Sequence, residues 1–407
     1  MVPNGWLNTS IDDNITFSGG AQPPREVFKF EPEEGYIRLI QIRDYKTDKF
    51  VTYVPQKLAK KFCTVDDVMI GRYGPPIFQI LRGIEGAYNV ALIKATPKDG
   101  VDKEFMYYFL KRDPLLRVIE SYSQRTSGQT GIEMDVLKAY PMHLPPLPEQ
   151  RKIAKILSTW DKAISTTELL IDNSRQQKKA LMQQLLTGAH TQRKRLLDDS
   201  GKPFEGEWKE FQLGDLSTKI TKGTTPSTNG FSFQQQGINF VKVESISSTG
   251  AFDKSKFAYI DNDCHESFKR SQLEKDDILF SIAGALGRTA LVEETILPAN
   301  INQALAIVRL DRAISVHRYI IYYLNSPRIA SLIKGLTAKA AQPNLSLKDV
   351  NGLRILLPSL KEQEKIASVL FNADQEVELL EQQLADLKQE KKALMQQLLT
   401  GKRRVTV

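Results

Sequence analysis

The chain has 407 residues, 41% of them hydrophobic and 26% charged, with 56 Lys and Arg against 48 Asp and Glu. That length suggests two or more domains, the apolar share excludes a wholly disordered chain, and the net charge of +8 points to a polyanionic partner. There is no long apolar run that could span a membrane, no leader-like opening in MVPNGWLNTSIDD, and no CxxC at Cys63 or Cys264, so a zinc site or disulfide framework is not expected and a reducing compartment is.

Residues 1–143 read as a first globular part. The β-like runs YIRLIQI (36–42) and VALIKA (90–95) precede an amphipathic helical stretch, FMYYFLKRDPLLRVIES (105–121). Loops between them mix cations, amides and glycine. They are QIRDYK with Arg43 and Lys46, GRY with Arg72 and Tyr73, and YSQRTSGQTG with Arg125, Ser127 and Gln129. Lys and Arg neutralise phosphates, while Arg, Gln and Ser can read base edges, so these residues are the candidates for nucleic-acid contact.

Residues 144–188 form a long helix with prolines where a helix start tolerates them and Gly188 as its stop. A basic linker follows at 189–207. Residues 208–356 form a second globular part with strands INFVKV (238–243) and LAIVRL (305–310) and a helical stretch at 318–334. Its candidate loops carry Thr224 and Thr225, Lys242, Arg288, and then Lys339, Gln342 and Asn344. The loops with Arg125 and Gln129 and with Lys339 and Gln342 hold equivalent positions before the closing strand, which singles out those four. A second long helix occupies 357–401 and a basic tail 402–407. The fold class expected is α/β (α+β): two tandem globular domains, each with a twisted sheet and each followed by a long helix.

The two helical segments are copies. KKALMQQLLTG occurs at 178–188 and again at 391–401, and LPPLPEQRKIAKIL (144–157) aligns with LPSLKEQEKIASVL (357–370) at the same offset of 213. Without a gap, 23 of 45 positions are identical, so the chain contains an internal duplication. Upstream the duplication is fainter: PNGW parallels FEGEW, GYIRLIQIRDY parallels GINFVKVESI, and VDDVMIGRYG parallels KDDILFSIAG. The globular parts have drifted, and the helices have not.

In the second copy Leu370, Ala373, Val377, Leu380, Leu384, Leu387, Leu394 and Leu398 follow alternating steps of three and four, interrupted at Lys391. The first copy keeps Leu157, Trp160, Ile164, Ile171, Leu181 and Leu185, interrupted at Thr167, Ser174 and Lys178. Each helix, of about 41 residues and roughly 60 Å, needs a partner for this stripe, and the other copy is the natural one. An antiparallel pair with pseudo-twofold symmetry is favoured; the long linker also permits a parallel one. The remaining faces carry Glu149, Gln150, Gln183 and Gln184, matched by Glu362, Gln363, Gln396 and Gln397. A helix core alone requires only similar hydrophobicity, so identity at such polar positions points to docking of two identical partners. Recent duplication would also preserve it.

Catalytic signatures are missing. YGPPIF (73–78) has Gly74 and Ile77 where a methyltransferase loop needs an amide or acid and a stacking ring. GALGRT (284–289) lacks phosphate-loop spacing, no Pro-Asp dipeptide seeds a metal nuclease, and His143, His190, His265 and His317 are scattered, so no metal site is expected.

With these motifs, the opening FEGEWKEFQLGDLSTKITKGTTPS (204–227) and the phrase around LEKDDILFSIAGALG (273–287), the chain resembles the specificity subunit of type I restriction–modification systems. The resemblance spans nearly the whole chain. It implies that each globular part is a target recognition domain reading one half of a bipartite, asymmetric site in double-stranded DNA. The helices would then act as ruler and as docking surface for two adenine methyltransferase subunits, with restriction subunits able to join. It also implies a non-catalytic chain in the bacterial or archaeal cytoplasm. S-adenosylmethionine, Mg and ATP would be expected on the partner subunits and no cofactor in this chain. The first module departs from the pattern, with LNTSIDDNITFSGGAQPP in place of the LGDL…GTTP opening. A stand-alone two-domain coiled-coil DNA-binding regulator would show the same architecture; co-purification with a methyltransferase separates the two readings.

Overall fold

The computed structural model describes residues 3–123, 125–126, 129–187, 195–338 and 343–406, with the side chains of 125–126 and 129–130 left aside. The chain divides into two compact units, Met1–Glu168 with Gln382–Val407, and Leu169–Glu381. Each unit therefore combines one globular part with a piece of both long helices.

In the first unit, strand Leu7–Ser10 pairs antiparallel with Pro141–Leu144 and brings the start of the chain beside the entry to the first long helix. An antiparallel sheet follows in the order Ile15–Gly19, Leu92–Pro97, Val68–Gly71, Ile80–Leu81. A second sheet has the order Tyr53–Pro55, Tyr36–Ile40, Gly86–Tyr88, Phe62–Cys63, with Tyr36–Ile40 and Gly86–Tyr88 parallel. Beside such two-stranded pairings, the described strands of each module divide between two small, mostly antiparallel sheets where the sequence suggested a single twisted one. The fully buried Val68–Gly71, with the β-branched Val68 and Ile70, sits inside its sheet. Helices Lys103–Leu110 and Asp113–Tyr122 complete the core, in which Ile11, Ile15, Phe105, Phe109 and Leu115 meet Ile153 and Leu157 of the first long helix and Leu398 and Leu399 of the second.

The second unit repeats this plan. Lys209–Gln212 pairs with Arg354–Leu357, and a four-stranded sheet orders Ser217–Lys222, Leu305–Leu310, Ile278–Ser281, Thr289–Leu291. A three-stranded sheet again contains a parallel pair, Ile238–Val241 with Ala299–Ile301. Helices His317–Leu324 and Pro327–Thr337 pack in a core shared with Leu185, Leu186, Ile366 and Leu370.

The long helices run Leu147–Leu185 and Leu360–Leu398, 39 residues each. Within each unit their segments are antiparallel. In the first, Asp161 meets Lys391 and Glu168 meets Lys388; in the second, Arg175 meets Glu381 and Lys178 meets Asp374. These pairs explain the interruptions of the apolar stripe. Lys178 and Lys391 are ion-pair positions, Ser174 donates to Glu376 at 3.3 Å, and the buried Thr167 returns its hydroxyl to the Ala163 carbonyl at 2.9 Å. Among the described residues no helix is long and apolar enough to cross a membrane.

Candidate nucleic-acid and partner interfaces

Arg43 and Lys46 lie on and beside the one-turn helix Ile42–Tyr45, which leaves the end of strand Tyr36–Ile40. Both are exposed. The turn is fixed from inside by Asp44, whose carboxylate accepts the Gln41 amide at 3.1 Å and lies 3.9 Å from both Arg38 and Arg43. Burial raises the Asp44 pKa, and the amide and two guanidinium groups oppose that rise without cancelling it. Arg43 sits 5.5 Å from the centre of the exposed Phe50 ring. Arg72 lies over Tyr73 at 5.2 Å, and Tyr73 bridges Gly131 through its backbone. This bridge brings Arg72 and Tyr73 beside the small hairpin in which Arg125–Thr126 pairs with Gln129–Thr130. The side chains of Arg125 and Gln129, and Ser127 altogether, lie outside the described residues.

In the second unit Lys242 begins the equivalent turn, Val243–Ser245, and pairs with Glu244 at 3.2 Å. Arg288 uses its Nη1 on the carbonyls of Val243 and Ile246. It shapes the loop that carries Lys242 with a group the sequence presented as free for DNA. Thr224 accepts from Arg270 at 3.0 Å, and the Thr225 hydroxyl meets Gln303. Asn344 is exposed, while Lys339 and Gln342 lie outside the described residues.

The partner-docking candidates split into two kinds. Gln183, Gln184, Gln396 and Gln397 are exposed. Glu149, Gln150, Glu362 and Gln363 are at most 2% exposed and belong to the interior, which corrects their assignment to a docking face. Gln150 accepts the Asp102 amide at 2.8 Å and donates to the carbonyls of Gly100 at 2.9 Å and Pro145 at 2.8 Å. Gln363 repeats this on Val316, Ile314 and Pro358, at 2.9, 3.3 and 3.0 Å. Each glutamine pins the start of the helix that follows the sheets.

Each glutamate takes an arginine from beyond the other helix's C-terminus. Arg404 binds Glu149 at 2.7 and 2.8 Å and the Asn4 carbonyl at 2.7 Å, and Trp6 donates its Nε1 to the same carboxylate at 3.1 Å. Arg195 binds Glu362 through Nε at 3.0 Å and through Nη2, and the Gly206 carbonyl at 2.6 Å. Asn4 and Gly206 both stand two residues before a tryptophan, Trp6 and Trp208. Arg195 and Arg404 therefore fasten the fold, where the sequence marked only a basic linker and a basic tail; residues 188–194 lie outside the described set.

A third recurrence was missed altogether. Tyr108 donates to Asp161 at 2.7 Å and Lys391 pairs with the same carboxylate; Tyr322 donates to Asp374 at 2.6 Å and Lys178 pairs with it. Burial opposes the charge on Asp161, yet the Lys391 ammonium and the Tyr108 hydroxyl outweigh it and hold the carboxyl below its ordinary value. The 213-residue offset relates Asp161 to Asp374 and Lys178 to Lys391, and that was the available signal. Among the described residues no cluster of His, Cys, Asp or Glu could hold a metal ion, and both cysteines are buried thiols.

The duplicated architecture has counterparts. The family model described as the type I restriction modification DNA specificity domain matches residues 3–173 and 205–389. The type I restriction enzyme MjaVIII specificity subunit of Methanocaldococcus jannaschii is 24% identical over 415 residues, covering 99% of this chain and 94% of that protein. Among solved structures, the type I restriction–modification S subunit from M. genitalium superposes with a TM-score of 0.58 at 17% identity over 98% of this chain and 97% of the other. A chain from a structure of type I R-M system assembly and conformational transition does so with 0.61 at 18% identity, covering 98% of each. At such identities the structures establish the fold, and the family model, matched twice along most of the sequence, establishes the kinship. The chain belongs to the type I restriction–modification specificity family and is a specificity subunit with two tandem recognition domains.

Proposed function

We propose that each globular part reads one half of a bipartite, asymmetric sequence in double-stranded DNA, and that the long helices set the spacing between the halves. Two adenine methyltransferase subunits would dock on the helices and restriction subunits on that core, in the cytoplasm of a bacterium or archaeon. The chain itself would perform no chemistry; S-adenosylmethionine, Mg and ATP would be held by the partners. The observation that carries this reading is the contrast between constant and variable parts. Both modules are fastened to the helices by the same glutamine, glutamate–arginine and tyrosine–aspartate–lysine contacts. Their equivalent turns differ, with the exposed Arg43 and Lys46 in one and the half-buried Lys242 in the other. A common frame with divergent loops suits two readers of different half-sites.

The test is adenine-methylation sequencing in a host without its own methylation, expressing the methyltransferase encoded beside this chain with and without the chain. A split motif should appear only with the chain, and exchanging residues 1–143 should change one half of it. Absence of any motif despite stable co-expression would favour a stand-alone DNA-binding regulator.

A further inference from the structure

A cleft of about 510 Å³ opens in the first unit between the turn that joins the helices Lys103–Leu110 and Asp113–Tyr122 and the long-helix segments. Its lining includes the cations Lys111, Arg112, Lys388, Lys391, Lys392 and Lys402 against two carboxylates, Asp113 and Asp161. Both carboxylates are already engaged, Asp113 by Lys392 at 2.8 Å and Asp161 by Lys391, and Glu168 takes Lys388 at 2.7 Å. Lys111, Arg112 and Lys402 have no carboxylate partner among the described residues. Arg112 is half-buried, with its guanidinium 4.9 Å from the Phe109 ring, and burial pushes its pKa down. A half-buried cation without a counter-ion is costly, and an incoming carboxylate would relieve the cost.

The lining also includes Pro114, Ile164 and Met395. A DNA backbone offers phosphates and nothing to cover such apolar surface, whereas an acidic peptide with apolar anchors matches both. We infer that this cleft receives an acidic, partly apolar segment of a partner protein. The methyltransferase subunit is assigned as that partner, which rests on the docking reading above, because the exposed Gln396 of the duplicated helix end also lines the cleft.

The cationic turn that lines it has no equivalent in the second unit's sequence. Between Leu110 and Pro114 the first unit has Lys111, Arg112 and Asp113; between Leu324 and Pro327 the second has only Asn325 and Ser326. The helix wall is retained there as Arg175, Lys178 and Lys179, but the facing cations are missing. Two identical partner subunits thus meet unequal surfaces.

The test uses the full chain and two ligands. A fluorescent peptide of alternating Glu and Leu, titrated by anisotropy, should bind one site, weaken with salt, and weaken about tenfold in Arg112→Gln and in Lys402→Gln. Lys179→Gln in the second unit should leave it unchanged. Lys402 is exposed and unpaired among the described residues, so its variant keeps the test valid should Arg112→Gln misfold. In native mass spectrometry with the methyltransferase subunit, the same variants should weaken one of two binding events. Peptide binding that is absent, or indifferent to both substitutions, overturns the site. Reduced affinity for random duplex DNA with unchanged peptide binding overturns it in favour of nucleic acid. If the peptide binds as expected but the wild-type chain captures no methyltransferase, the docking reading fails and the assigned partner falls with it, while the acidic chemistry stands.

Discussion

Replacing Gln150 by Met should destabilise the first unit by about 3 kcal/mol. The two side chains have similar volume, so little of the effect comes from a cavity. What changes is hydrogen bonding at a side chain that is 0% exposed. The Asp102 amide and the carbonyls of Gly100 and Pro145 each lose their bond to Gln150. A stranded buried group costs about 1–3 kcal/mol, the amide more than the carbonyls, which places the sum near 3. For a unit of roughly 200 residues this is a fall in melting temperature of about 6–12 °C. Asp102 caps the helix Lys103–Leu110 by accepting the Phe105 amide at 2.9 Å, so hydrogen exchange should accelerate first in that helix. The isosteric Gln150→Glu tests the polarity of the contacts. Its carboxylate would face two carbonyl oxygens in the interior, so its folded-state pKa would rise above the ordinary value of about 4.3. The added penalty is then small below that pH and grows as pH rises from it through the folded-state value. Melting within about 2 °C of wild type for Gln150→Met, with the Asp102 amide still protected, would refute the reasoning.

Two further outcomes follow from the same contacts. Asp161 titrates below its ordinary value in the fold, so its contribution to stability is present above pH about 4 and is lost as pH falls through the depressed value; Asp161→Asn should flatten the acid limb of a stability–pH curve, and an unchanged limb would remove the Tyr108–Asp161–Lys391 contact from the account. Gly401 has φ +68°, and a Cβ there would overlap Pro3 and come within 3.3 Å of Trp6, so Gly401→Ala should cost about 2 kcal/mol in a chemical denaturation series, with smaller cost if Pro3 is also replaced by Gly.

The repeat and the two long helices were legible because they depend on identity and periodicity, which a single sequence displays; their direction was not, because the long linker permits either, and the ion pairs Asp161–Lys391 and Lys178–Asp374 fix it as antiparallel within each unit. The strands were legible in part: YIRLIQI contains Tyr36–Ile40, and VALIKA overlaps Leu92–Pro97. The dipeptides Glu149–Gln150 and Glu362–Gln363 were misread for a physical reason. A periodic pattern assigns polar residues to solvent, and these four are desolvated by partners distant in the sequence, such as Gly100, Asp102 and Arg404 for the first pair. Arg195 and Arg404 escaped the offset comparison as well, because 213 residues do not separate them. Arg288 looked like a loop cation available to DNA, and only the fold shows the Val243 and Ile246 carbonyls that occupy it.

The same distinction bears on why KKALMQQLLTG recurs unchanged. At the second copy, Lys391 pairs with Asp161, while Leu394, Met395, Leu398 and Leu399 join the core of the first unit. Thr400 returns its hydroxyl to the Gln396 carbonyl, and Gly401 is required by its backbone conformation and by Pro3. At the first copy Lys178 pairs with Asp374, and Leu181, Met182, Leu185 and Leu186 join the core of the second unit. Internal packing thus accounts for most of the identity without any partner. Besides Lys179 and Lys392, of which the latter pairs with Asp113, it leaves Ala180, Gln183 and Gln184 with their copies Ala393, Gln396 and Gln397, which are exposed in both units. Substitutions there can separate docking from folding, because they disturb neither the core nor the ion pairs. Substitutions at the glutamate–glutamine pairs would act through lost stability of the unit that holds them, as at Gln150, and would say nothing about the surface.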